Sequence, residues 1–252
     1  MIFVAAGTKD GRELADFLQK RGFDVMASAV TEYGSGLLKE NPALSVNNKP
    51  LDLAEMTEFL RDNGITIFVD ATHPYARNIS QNAITACAHI GLPYIRYERP
   101  AAVEEYENIH RVSDYESAAR KAGELGQNIF LTTGSRSLPI FVRELGNSRL
   151  IARVLPSPEV IAQCFELKLC PKSIIAMQGP FSQAINEEMF RHAQADVVVT
   201  KNSGTIGGTD TKLAAAAALA LPVVMIDRPP LQYPAVTDDF AVVAAFIDSH
   251  CQ

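Results

Sequence analysis

What this sequence is short of narrows its chemistry first. Positive charge is in deficit: 23 Lys and Arg against 29 Asp and Glu leave a formal charge of −6. That balance argues against general nucleic-acid binding while leaving room for a local cationic cleft. No apolar run reaches the roughly 20 residues of a transmembrane helix. The N-terminal Met1-Ile2-Phe3-Val4-Ala5-Ala6-Gly7 lacks the basic start of a signal peptide and breaks early at glycine, so it reads as a first strand. The four cysteines, Cys87, Cys164, Cys170 and Cys251, form no C-x-x-C pair and have no histidine pair to join them. They read as packing residues of a reduced, cytoplasmic, metal-free protein. Histidine is scarce, five in all, with none at metal-ligand spacing. No G-x-S-x-G elbow surrounds Ser135 or Ser203, and no short repeat period runs through the chain.

What is present is an ordinary globular composition, 47% hydrophobic and 21% charged, in a chain long enough for one large core or two smaller ones. The stretch Ile67-Phe68-Val69-Asp70-Ala71-Thr72-His73-Pro74-Tyr75-Ala76 organises the reading. An apolar run ends on an acid and hands over, through polar residues and Pro74, to a segment with helical spacing. Open α/β sheets build their ligand-facing edges this way. A plain turn with Asp70 or Thr72 capping the next helix would fit the same residues.

Strand-type runs recur at about 2–6, 24–30, 44–46, 65–69 and 92–97, alternating with helical spacings such as Leu14, Phe17, Leu18 and Ile79, Ala83, Cys87. Thr31-Glu32-Tyr33-Gly34-Ser35-Gly36 reads as a polar, glycine-containing strand exit. The rhythm breaks at 98–111, where Pro100 and the acids Glu98, Glu104, Glu105 and Glu107 suggest a crossover between domains. It restarts with a capping start at Ser113-Asp114-Tyr115-Glu116 and further strands near 128–132, 149–154, 173–177, 196–200 and 222–226. Two such series imply an α/β protein with two doubly wound, mainly parallel sheets flanked by helices, one in residues 1–100 and one in 101–252. The last helix, near 238–249, is assigned to neither.

Ligands of such sheets bind at the carboxyl ends of strands, often where two domains face each other. Gathered at those ends are Thr8, His73, Arg96, Arg99, Thr133, Ser135, Arg136, Arg153, Gln178, Lys201, Ser203 and Arg228. Cations collected at strand exits of an acidic chain point to an anionic ligand. Glycine- and hydroxyl-rich exits at Thr132–Ser135, Gln178–Ser182 and Lys201–Gly208 suit phosphate, which backbone N–H groups and helix N-termini attract. Gly7 and Gly11 make only a G-x-x-x-G, short of the full dinucleotide fingerprint, and no Walker sequence occurs because Lys201 precedes its glycines. His73, at a strand exit, can give or take a proton near neutral pH.

Asp70-Ala71-Thr72-His73-Pro74-Tyr75-Ala76, Ile95-Arg96-Tyr97-Glu98-Arg99-Pro100, Thr132-Thr133-Gly134-Ser135, Gln178-Gly179-Pro180-Phe181-Ser182 and Thr200-Lys201-Asn202-Ser203-Gly204 together resemble, in order, the precorrin-6A reductase family of cobalamin biosynthesis. The resemblance covers essentially the whole chain. It implies two Rossmann-like domains with the ligand cleft between them, and reduction of one carbon–carbon double bond of a corrin precursor by NADPH or NADH. Cobalt, where present, would arrive inside the substrate. The stretch Ser28-Ala29-Val30-Thr31-Glu32-Tyr33-Gly34 resembles the members that take the cobalt-containing precursor.

On this reading Gly7, Thr8, Thr133, Gly134, Ser135, Gln178, Gly179, Pro180, Ser203 and Gly204 line the cofactor. His73, Tyr75, Arg96, Arg99, Arg153 and Lys201 face the tetrapyrrole, the arginines and Lys201 through its carboxylates. His73 or Lys201, or solvent, supplies the proton. Expected partners are the small-molecule substrate and other corrin-pathway enzymes, with no nucleic acid and no membrane. Two other readings share the cations: a two-domain binding protein without catalysis, and a non-redox tetrapyrrole enzyme. Only the reductase needs a reduced nicotinamide.

Overall fold

Central strands of a parallel sheet are covered on both faces, so they carry unbroken apolar runs in place of alternation. Ile67-Phe68-Val69 and Val197-Val198-Val199 are buried at every position in a computed structural model whose described residues are 1–101, 106–146 and 149–250. The chain forms two compact units, one of Met1–Pro100 with the segment from Pro230 onward, the other of Ala101–Pro229.

The first unit runs β1 (Ile2–Ala5), α1 (Lys9–Lys20), β2 (Val25–Ser28), α2 (Glu32–Lys39), β3 (Ser45–Asn47), α3 (Leu53–Asp62), β4 (Ile67–Asp70), α4 (Arg77–Ile90) and β5 (Tyr94–Tyr97). The second contains β6 (Ile109–Val112), α5 (Tyr115–Leu125), β7 (Ile129–Leu131), α6 (Leu138–Leu145), β8 (Leu150–Val154), α7 (Pro158–Glu166), β9 (Ile174–Ala176), α8 (Gln183–His192), β10 (Val197–Lys201), α9 (Thr209–Ala218) and β11 (Val223–Ile226). The chain then returns to the first unit with β12 (Val236–Thr237) and α10 (Phe240–His250).

Each unit holds one six-stranded sheet with every described pairing parallel. The first has the order β3-β2-β1-β4-β5-β12 and the second β9-β8-β7-β10-β11-β6. Both are the doubly wound 3-2-1-4-5-6 order, so each is a Rossmann-like domain. The sixth strand of each comes from an unusual place in the chain. After β5 the chain leaves for the other sheet, where β6 takes the outer position beside β11, and β12 fills the vacated edge beside β5.

Helices cover both faces of the first sheet. Val4, Leu14, Leu18, Val69, Val243 and Ile247 pack on one side, and Phe3, Met56, Leu60, Phe68 and Cys87 on the other. Full burial of such a side chain contributes roughly 1.5–3 kcal/mol. In the second unit Phe130, Phe190, Val198, Leu213 and Met225 form the core under α8 and α9.

The structure departs from the sequence reading in four places. Thr31–Gly36, read as a glycine-containing strand exit, is mostly helix: Thr31 caps α2, its Oγ1 accepting the Gly34 N–H at 3.0 Å. The cap and the burial of Leu38 offset the cost, near 1 kcal/mol each, of two glycines in a helix. The crossover 98–111 ends in a strand, β6, while its Glu104 and Glu105 lie outside the described residues, as does Cys251. β12 was not anticipated. The last helix packs in the first unit through Val243, Ala244 and Ile247, so the second unit ends at Pro229 and not at residue 252. No helix among the described residues is long and apolar enough to cross a membrane.

Candidate functional site

In each sheet the strand order reverses between its first and fourth strands, and the loops leaving those two strands flank the crevice where doubly wound folds take ligands. In the first unit these are the loops after β1 and β4; in the second, the loops after β7 and β10.

After β1, Thr8 caps α1. Its Oγ1 accepts the Gly11 N–H at 3.0 Å and donates to the Ala71 carbonyl at 3.2 Å, tying the two switch-point loops together. Gly11 lies so close beneath that a Cβ there would sit 2.8 Å from the Ala71 oxygen. Around Gly7, by contrast, a Cβ would meet nothing within 4 Å, which leaves open space over this loop.

Asp70, at the end of β4, caps no helix. α4 starts after Ala76 without a side-chain cap. The fully buried carboxylate instead gathers a web: Oδ1 accepts from Thr72 N at 3.0 Å, Thr72 Oγ1 at 2.7 Å and Arg96 Nη1 at 2.6 Å, and Oδ2 accepts from Tyr94 Oη at 2.7 Å. Burial works to raise the Asp70 pKa, but Arg96 and the hydroxyl and amide donors outweigh it and hold it below the usual carboxylate range. The same carboxylate, after burial itself, drives the Tyr94 phenol far upward. Arg96 is itself buried, turns its Nε to Glu98 at 3.1 Å and lies 5.4 Å over the Tyr233 ring. Arg99 is buried against Asp10 at 2.7 Å. Both arginines, expected to face a ligand, are thus turned into the first unit by acids of its own. His73 and Tyr75 are half-buried at the mouth of the same loop, their rings 5.7 Å apart, with the Tyr75 N–H donating to His73 Nδ1 at 3.3 Å.

The second unit treats the equivalent loops differently. Gly134 after β7 and Gly204 after β10 adopt nearly the same backbone, φ 83° and ψ 175° against φ 75° and ψ 178°, and each leads into a one-turn 3-10 helix. Those angles favour glycine strongly over any residue with a side chain. Thr133 Oγ1 and Ser137 Oγ bind each other at 2.7 Å beneath the first turn. Under the second, Thr209 Oγ1 accepts the Ser203 N–H at 3.1 Å. Ser135 is half-buried and its carbonyl accepts from Gln163 at 3.4 Å. Gln178, Gly179 and Pro180, after β9, are exposed.

Cations lie behind these turns. Arg153, at the end of β8, is 8% exposed, donates to Asn186 Oδ1 at 2.6 Å and stacks 4.5 Å over the Phe181 ring. Burial pulls its pKa down to about 10. Lys201, half-buried at the end of β10, is lowered to about 8 by burial and then by Arg136. Lys212 joins them from α9, 8% exposed. The sequence reading missed it because a lysine in an alanine-rich helix looks solvated. The signal lay in the spacing: Thr209, Lys212, Leu213 and Ala216 fall at i, i+3, i+4 and i+7, and all are buried.

The chain is similar over nearly its whole length to known proteins of one family. A family model described as precorrin-6x reductase CbiJ/CobK matches residues 1–248. A cobalt-precorrin-6A reductase of Priestia megaterium is 40% identical over 246 residues, covering 96% of this chain and 96% of the relative. A cobalt-precorrin-6A reductase of Methanocaldococcus jannaschii is 37% identical over 248 residues, covering 98% and 97%. The solved structure of CobK precorrin-6A reductase superposes with a TM-score of 0.81 at 25% identity, over 99% of this chain and 96% of that one.

Proposed function

The chain belongs to the precorrin-6x reductase family, and from that premise we propose how its two switch points divide the work. The protein is an enzyme of corrin-ring biosynthesis, a reductase of the precorrin-6A type. The finer substrate we assign is cobalt-precorrin-6A, the compound named for both relatives above. The cofactor we assign is NADPH or NADH. The reaction runs in the cytoplasm, with other enzymes of the corrin route before and after it.

The observation that carries the cofactor assignment is the pair of matched glycine turns at Gly134 and Gly204. A turn with no side chain lets an anionic phosphate approach the backbone closely. Thr133, Gly134, Ser135, Ser203 and Gly204 hold the cofactor there, with Gln178, Gly179 and Pro180 at its edge. Gly7 and Thr8 offer the corresponding first turn of the other unit, where the space over Gly7 is open. When bound, the reduced nicotinamide supplies a hydride to one carbon of the double bond.

The substrate's carboxylates are held by Arg153 and Lys201, both desolvated enough for charge-assisted hydrogen bonds to count. Arg96 and Arg99 act one step back: their ion pairs hold the loops that present His73 and Tyr75. The neighbouring carbon needs a proton, and Lys201 or His73 donates it. With a pKa of about 8, Lys201 is mostly protonated at neutral pH and close enough to it to give the proton up.

The test is the absorbance of NADH or NADPH mixed with protein and either cobalt-precorrin-6A or precorrin-6A. Oxidation that requires both protein and macrocycle is expected, fastest with the cobalt substrate. Equal rates with the metal-free compound would remove the cobalt assignment. If neither reduced nicotinamide is consumed in any combination, the cofactor assignment falls.

A further inference from the structure

Arg153 and Lys212 pose a problem of charge. Each is only 8% exposed, they lie within electrostatic reach of each other, and among the described residues no carboxylate pairs with either. Arg153 has an amide oxygen from Asn186 and the face of Phe181. Two buried cations side by side are costly unless one loses its proton or an anion joins them.

Every element packed on this region leaves the charge unbalanced. β8 brings Arg153 and β10 brings Lys201, which Arg136 approaches in turn. α8 brings neutral Asn186, and its Glu187 is engaged by Gln183 and Arg191. α9 itself brings Asp210, an exposed acid with the weakest influence on Lys212. Burial first, then Arg153 and Lys201, pull the Lys212 pKa to about 7. An arginine keeps its proton at neutral pH, so the lysine is the group that yields.

Two further features ask for an oxygen-bearing ligand here. α9 begins at Gly208, φ 65°; its Thr209 N–H donates to the Gly204 carbonyl at 3.2 Å, and no side chain caps the rest of the first turn. Thr200 Oγ1 is buried with no hydrogen-bond partner among the described residues. One step beyond the paired residues Val199, Leu131 and Ala152, the parallel register puts Thr200, Thr132 and Arg153 in one row across the sheet. Thr132 Oγ1 already donates to the Val199 carbonyl at 3.0 Å and Arg153 to Asn186; buried hydroxyls are nearly always partnered, so Thr200 is the member of this row left for an entering oxygen.

We propose that Arg153, Lys212 and the first turn of α9 form an anion site in which an entering carboxylate or phosphate oxygen favours the charged form of Lys212, so that above neutrality ligand binding takes up a proton. The site deepens the reading above, since it rests on a polyanionic ligand for the second unit. The substrate's carboxylates and the cofactor's phosphates share the chemistry, and the arms of the test separate them.

The test is titration calorimetry on the full chain in two buffers of different ionisation enthalpy, which counts protons exchanged per ligand bound. One arm uses NADPH, one NADH, one a redox-inert porphyrin octacarboxylate and one inorganic phosphate. At about pH 6 Lys212 is already charged and little uptake is expected; near pH 8 it approaches one proton in the arm whose anion reaches the site. Lys212→Met should leave only the smaller uptake belonging to Lys201. Equal uptake in wild type and Lys212→Met overturns the proposal, and so does no uptake by the wild type in any arm, a result that needs no variant to fold. Oxidation of reduced nicotinamide with cobalt-precorrin-6A, measured alongside, keeps the two readings apart: turnover without proton uptake removes the anion site alone, and uptake without turnover removes the reductase roles alone.

Discussion

In the first unit the buried cations at the strand ends meet acids: Arg96 holds Asp70 at 2.6 Å, and Arg99 holds Asp10 at 2.7 Å. In the second, Arg153 has an amide oxygen and an aromatic face, and Lys212 has no described carboxylate. The strand order is the same in both, so topology does not set this difference. Charge balance does. A buried cation with its own acid braces a loop and has little left to offer a ligand. One that is desolvated without an acid is held ready for a ligand's charge. Arg96, Arg99 and Arg153 look alike in a list of strand-end cations, and only the acids opposite the first two set them apart.

Breaking that contrast gives the largest expected effect. Arg96→Met leaves the Asp70 carboxylate buried among dipoles with its counter-charge gone, and the unfolding free energy should fall by about 3–5 kcal/mol in a urea titration. Arg153→Met removes a buried cation that has no acid to strand, so stability should hold or rise while kcat/KM falls roughly 10- to 100-fold, the worth of one charge-assisted hydrogen bond. Comparable destabilisation by the two substitutions would erase the distinction between the units.

The glycine turns allow a smaller and sharper comparison. Gly204→Ala forces a side chain onto φ 75° and should cost on the order of 1–2 kcal/mol in stability, with a raised KM for the reduced nicotinamide. Gly7→Ala, where the added carbon meets nothing within 4 Å, should change stability by less than about 0.5 kcal/mol. A rise in the cofactor's KM for Gly7→Ala with unchanged stability would place cofactor at the first unit's turn. No rise for Gly204→Ala would take it from the second.

How far the sequence foretold all this depends on how local each feature is. The central strands announce themselves, because Ile67-Phe68-Val69 and Val197-Val198-Val199 need apolar residues at every position. The outer strands do not. Ile109-His110-Arg111-Val112 and Val236-Thr237 are short and only partly buried, and their exchange between sheets is a matter of pairing far along the chain. The resemblance carried the family and the fold, but not the fate of each cation. Arg96 finds its acid 26 residues away and Arg99 finds its own 89 residues away, distances at which no local pattern speaks. Lys212 was legible only to a count of helical spacing that treated its neighbours as a buried stripe.

The gentlest test of the contrast is the pH dependence of folding, because the units should respond at opposite ends of the scale. Asp70 has a folded pKa below its unfolded value, so its contribution is full above the usual carboxylate range and is lost as acid protonates it. Lys212 is depressed too, to about 7 from 10.5, but it is a base, and there the depressed value marks a penalty on the charged form. Between those two values the unfolded chain holds a proton that the folded chain has released, so stability should climb with pH by at most about 1.4 kcal/mol per unit. Lys201 adds a weaker climb from about 8 upward. Chemical denaturation of wild type and Lys212→Met across this range isolates the lysine: the difference in slope should be largest at about pH 8 to 9.5, midway between the two values, and vanish below about pH 6. Parallel curves would mean that Lys212 stays charged in the folded protein, with an acid or a bound anion already beside it.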